Sequence, residues 1–123
     1  MIPSRIVLAL LLTGVVALSP AAAQVFTPQS GTGLTVTFQT EKMGGSRVLI
    51  FGDVRNATGQ TYERVVLLAE GLDAAGQVVS RGRTYISGTV NPTSTTAFEL
   101  RFLASGAERR YRVTVESFQQ IQN

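Results

Sequence analysis

The chain has no cysteine, no histidine and no tryptophan among its 123 residues. Without cysteine there is no disulfide, no thiol chemistry, no Cys-based metal site and no lipoprotein anchor, which needs a Cys at the cleavage point. Without histidine there is no imidazole to act as general base, metal ligand or switch near neutral pH. Charge is also sparse. The net charge is +3, and Lys42 is the one lysine, so the high isoelectric point reflects arginine rather than a strong positive potential. Nucleic-acid binders concentrate a far larger basic excess, and no nucleic-acid partner is expected.

What is present begins with a targeting pattern. Met1–Arg5 carries one positive charge, residues 6–18 are apolar apart from Thr13 and Gly14, and Pro20 ends the run. Ala21, Ala22 and Ala23 then form a small-residue cleavage site before Gln24. This is the layout of a secretory signal peptide, expected to span residues 1–23. The apolar run is too short for a spanning helix, which needs about 20 residues, so no stable membrane span is expected after its removal. The expected location is the periplasm or outside the cell. The remainder, roughly 100 residues, is one domain and large enough for a core without covalent staples.

Residues 24–33 are rich in Gln, Thr, Ser, Gly and Pro and read as a flexible lead-in. From residue 34 to 118 the apolar residues alternate with period two, which marks half-buried strands. Six strands are expected, at 34–39, 47–56, 64–73, 77–87, 95–103 and 109–118. Leu34, Val36 and Phe38 share a face in the first; Phe98, Leu100 and Phe102 do so in the fifth; Tyr111, Val113 and Val115 do so in the last. Val65–Leu68 is a continuous apolar run, as in a strand covered on both faces. Gly52 interrupts the second strand and points to a bulge or a close backbone approach. Turn chemistry separates the strands at Asn56-Ala57-Thr58-Gly59, Asp73-Ala74-Ala75-Gly76 and Asn91-Pro92. Residues 119–123 read as a polar tail. The pattern predicts an all-β, antiparallel, immunoglobulin-like β-sandwich of about six to seven strands.

Gly52-Asp53-Val54-Arg55-Asn56, the segment Leu72-Asp73-Ala74-Ala75-Gly76-Gln77-Val78-Val79, Asn91-Pro92 before Phe98-Glu99-Leu100, and Tyr111-Arg112-Val113-Thr114-Val115 follow one another in order. In these pieces residues 47–118 resemble the FxLYD-type domains of exported prokaryotic proteins. The name-giving motif would fall on Ala69, Glu70, Gly71, Leu72 and Asp73, of which the Asp is kept. The resemblance implies a small immunoglobulin-like sandwich that serves as an accessory or interaction module, with no enzymatic activity.

Several groupings carry the residue types of a site. Asp53 and Asp73 read as a strand residue and a turn cap rather than as the paired carboxylates of a glycosidase. Lys42 and Ser46 share a wet glycine-rich turn, where a lysine stays charged and cannot serve as a base. Gly31-Thr32-Gly33 and Gly44-Gly45 lack the Lys-Ser/Thr pair of a phosphate loop. Asn56-Ala57-Thr58 matches a glycosylation acceptor, but a turn role suffices for Asn56. No catalytic residue, metal site or cofactor is expected. The charges of interest are Arg81 and Arg83 with Tyr85 on one strand face, and Arg110 and Arg112 on another. Brought together, these five residues form a candidate patch for a protein or an anionic envelope component. The reading is a non-catalytic binding module. The alternative is a structural or assembly component of a surface polymer, with residues 24–33 as a donated strand. An enzyme of unrecognised type is the third.

Overall fold

The computed structural model describes residues 25–28 and 33–121. Residues 1–23, read above as a signal peptide, lie outside the described residues. Within them are eight strands: β1 (Val25–Pro28), β2 (Leu34–Gly44), β3 (Arg47–Asn56), β4 (Thr61–Leu72), β5 (Val78–Tyr85), β6 (Thr89–Val90), β7 (Thr95–Leu103) and β8 (Arg110–Ile121). All pairings are antiparallel. One sheet runs β1-β2-β3-β7. In the other, β4 is central, with β8 on one side and β5 and then β6 along the other.

The chain crosses between sheets after β3, after β6 and after β7. The order β2-β3-β7 over β5-β4-β8 matches strands A-B-E over C′-C-F of an immunoglobulin-like sandwich. β1 is added outside A, and no strand in the described residues lies in the G position beside β8.

Alternation fills the space between the sheets. Leu34, Val36 and Phe38 of β2, Val48, Ile50 and Val54 of β3, and Phe98 and Phe102 of β7 are buried. They pack with Tyr62, Val65, Leu67 and Ala69 of β4, Val90 of β6 and Val113 of β8 in one core. Each Val, Leu, Ile or Phe side chain among them contributes roughly 1.5–3 kcal/mol when fully withdrawn from water. Gly52 is the close approach read from sequence: a Cβ there would lie 1.9 Å from the Thr37 carbonyl oxygen on β2.

The structure departs from the sequence reading at strand ends. Val25–Pro28 falls in the segment read as a flexible lead-in, yet it pairs with Thr35–Phe38. Four residues are too few to show a period, so pairing rather than pattern makes this strand. The same holds for the two-residue β6, which pairs with Tyr62 and Glu63. β8 continues to Ile121, beyond the expected end at 118, because Gln119, Gln120 and Ile121 pair with Glu63, Tyr62 and Thr61. β4 starts at Thr61 and survives a bulge at Arg64, whose φ is 55°. There the register against β8 shifts between Glu63 and Val66.

Asn56 ties the crossings together. Its side chain is buried. Nδ2 donates to the carbonyls of Gln60 (2.7 Å), Asn91 (3.1 Å) and Val90 (3.3 Å), and Oδ1 accepts from the Thr58 backbone N–H (2.9 Å) and hydroxyl (2.7 Å). Its amide therefore faces the protein interior, which is a structural role and not that of a glycan acceptor.

Candidate functional site

The outer face of the β5-β4-β8 sheet collects the arginines singled out from sequence. Leu67 and Ala69 point into the core, so Val66, Leu68 and Glu70 of β4 point outward. Register sets Arg81 of β5 and Arg112 of β8 on either side of Glu70. Arg83 and Tyr85 follow along β5, and Tyr85 is 72% exposed. Arg110 stands one pleat from Arg112, over the β4–β5 turn, where its guanidinium lies 3.8 Å from the position of a Cβ on Gly76. The fold thus brings Arg81, Arg83, Tyr85, Arg110 and Arg112 onto one face.

The charges of that face are organised rather than free. Arg112 donates to Glu70 Oε1 from Nε (3.1 Å) and Nη2 (2.8 Å), and Arg81 Nε donates to Glu70 Oε2 at 3.4 Å. One carboxylate, its side chain 11% exposed, therefore bridges two guanidiniums across three strands. Arg83 makes a two-pronged pair with Glu116, 2.6 and 2.7 Å long. That hydrogen bonding holds the Glu116 carboxyl below its usual range and raises the Arg83 guanidinium. Glu116 reaches Arg83 because β8 bulges there: Ser117 and Val115 oppose the consecutive residues Val66 and Leu67, which leaves Glu116 as the extra residue.

Sequence reasoning missed Glu70, which is the hub of the face. Its signal was present. It is the one carboxylate in the otherwise apolar run Val65–Leu72, and a charge in a central strand requires a partner when covered. The carboxylates and arginines leave an excess of positive charge, and Arg81, Arg83 and Arg112 each keep about half of the side chain exposed.

Beneath the turn end of this sheet, the β7–β8 loop wraps around Glu108. Ser80 Oγ donates to its Oε2 at 2.5 Å, and the backbone N–H groups of Ser105 and Gly106 donate at 2.7 and 2.9 Å. Burial pushes this carboxyl up, but those donors outweigh it and hold the group at about 2.

The two other sequence pairings, Asp53 with Asp73 and Lys42 with Ser46, do not form sites. Asp53 lies on the outer face of the opposite sheet, whereas Asp73 Oδ1 caps its own turn, accepting from the Ala75 and Gln77 N–H groups at 2.9 Å each. Lys42 and Ser46 are exposed at the β2–β3 hairpin. A different carboxylate does come near Asp53. Glu99 of β7 pairs with Phe51 while Asp53 pairs with Ala97, which makes the two acids diagonal neighbours. With Gln39 and Phe51 they line a shallow, open depression of about 520 Å³.

No family model matches the chain, and no curated protein does. Among solved structures it is similar to a DUF1425 family member from Shewanella sp. pv-4, determined at 1.81 Å. The identity is 13%, the match covers 89% of this chain and 99% of that one, and the TM-score is 0.45.

Proposed function

We infer that the protein is a non-catalytic, exported β-sandwich module that binds an anionic partner in the cell envelope through the outer face of its β5-β4-β8 sheet. One observation carries this reading: Arg81, Arg83, Arg110 and Arg112 converge on one face against two carboxylates, Glu70 and Glu116. Glu70 and Glu116 hold the guanidiniums of Arg81, Arg83 and Arg112 in place, so for these three little side-chain entropy remains to be lost when an anion binds. Arginine forks suit phosphate, sulfate or carboxylate groups, and Tyr85 offers an exposed aromatic surface at the end of the row. The face is a sheet surface, not a cleft, which suits contact with an extended partner better than turnover of a small substrate. The amino-terminal pattern of residues 1–23 supports export, and the ordered pieces within residues 47–118 support kinship with FxLYD-type accessory domains.

The test is charge reversal. Arg81→Glu with Arg83→Glu should abolish salt-sensitive binding to vesicles containing an anionic phospholipid or to an acidic polysaccharide, the two arms distinguishing lipid from glycan. Binding that survives the double reversal, or that ignores salt in both arms, overturns the reading.

A further inference from the structure

We propose that β8 is a self-association edge, at which two copies of the chain pair antiparallel about a two-fold axis at Val113. Three observations converge on it. Along its twelve residues β8 has one strand neighbour among the described residues, β4, which leaves its other edge without a strand partner among them. Long edges are ordinarily protected by charged side chains (lysine above all), proline, bulges or brevity, and the charges of β8, Arg110, Arg112 and Glu116, stand on its outward face. β8 contains neither lysine nor proline, and its one irregularity is the bulge at Glu116.

The inward row of β8 is also incompletely covered. Val113 is buried, but Tyr111 and Val115, which flank it on the inward face and pack on the core, are only partly covered. Tyr111 stacks edge-on against Phe102 of the opposite sheet, with ring centroids 5.5 Å apart, so its ring belongs to the core rather than to solvent. A further strand laid beside β8 finishes covering this row.

The occupant is a second copy because β8 is complementary to itself. With Val113 opposite its own symmetry mate, Tyr111 meets Val115 of the other copy on the inward face. On the outward face Arg110 meets Glu116 and Arg112 meets Thr114. Apart from Glu116, which is the bulge residue itself, these pairs use the regular stretch before it. Moving the axis to Arg112 sets two arginines opposite each other, which destabilises a cross-strand pair. An axis at Thr114 brings Tyr111 opposite Ser117, which the bulge turns outward. The result is a closed, isologous dimer in which the β5-β4-β8 sheets of both copies, each with its short β6, form one sheet of eight strands. This goes beyond the binding reading above and does not depend on it, since no anionic ligand takes part in the pairing.

The experiment is sedimentation of the protein, expressed from its full sequence, from about 1 μM to about 1 mM, a span that brackets weak and moderate dimers. A concentration-dependent monomer–dimer equilibrium is expected. Thr114→Arg, which sets a cation opposite Arg112, should weaken the dimer, and Thr114→Glu should tighten it. Each shift should be roughly tenfold, because two symmetry-related pairs change together. Should a Thr114 variant lose its β-sheet circular dichroism, Arg110→Glu at an exposed site tests the same register by opposing Glu116. A protein that stays monomeric throughout, or a dimer indifferent to these substitutions, overturns the proposal.

Discussion

The side-chain amide of Asn56, at the end of β3, donates to the backbone carbonyl of Asn91, thirty-five positions along the chain, at 3.1 Å. The same amide holds Gln60 and Val90, and the Asn56 backbone N–H donates to the Ser94 carbonyl at 2.9 Å. One buried residue therefore fastens the β3–β4 crossing to the β6–β7 crossing, where the chain has no disulfide to do so. Asn56→Ala leaves several carbonyls and the Thr58 donors without partners, each at roughly 1–3 kcal/mol. We predict a loss of about 3 kcal/mol or more in urea unfolding. Asn56→Asp should be nearly as damaging, because a carboxylate has no N–H to offer those carbonyls.

Gly52 sets a steric limit. Its missing Cβ is what allows the Thr37 carbonyl to approach from β2. Gly52→Ala drives a methyl group into backbone, which cannot rotate away, and a loss of about 3 kcal/mol or more is expected, as for severe overpacking. Gly59→Ala is the matched control, since nothing lies within 4 Å of a Cβ there. It should change the urea midpoint little, or raise stability by about 0.4–1 kcal/mol through the unfolded chain.

Acid sensitivity should trace to Glu108. Its folded value of about 2 lies below the ordinary 4.5. A depressed carboxyl stabilises the fold fully above the unfolded value, and that contribution fades as pH falls from about 4.5 toward 2. Glu116, lowered by Arg83, acts in the same direction. Glu108→Gln should be less stable at pH 7 and show a shallower loss between pH 4.5 and 2. Urea midpoints across that range give the comparison, and a slope equal to that of the parent would remove Glu108 as the source.

Glu70 links stability to binding. Glu70→Gln keeps the shape but withdraws the charge from Arg81 and Arg112. Hydrogen bonds to charged groups are worth roughly 1.5–3 kcal/mol, discounted here because both guanidiniums are about half exposed. A loss of about 1 kcal/mol is expected in thermal or urea unfolding. At low salt the same variant should bind an anionic vesicle more tightly than the parent, and the gain should vanish as salt rises. Weaker binding at low salt would mean that Glu70 positions the arginines more than it neutralises them.

Period-two alternation was enough to read the class of fold, because burial of one sheet face requires every second residue to be apolar. It placed Leu34, Val36 and Phe38 on the core face of β2 and Phe98 and Phe102 on that of β7, as found. Asp73 was legible as a turn cap because its partners lie within four residues. β1, β6 and the end of β8 were not legible. Their residues carry no pattern of their own and are strands because a neighbouring backbone supplies the hydrogen bonds.

The amino-acid order by itself determined the outward placement of Arg81, Arg83, Arg110 and Arg112, since strand parity is a local property. Only the tertiary structure decided that β5 and β8 flank the same central strand, that Glu70 stands between their arginines, and that a bulge swings Glu116 toward Arg83. Those outcomes depend on which strands pair and in what register, and these are set by contacts between residues far apart in the chain.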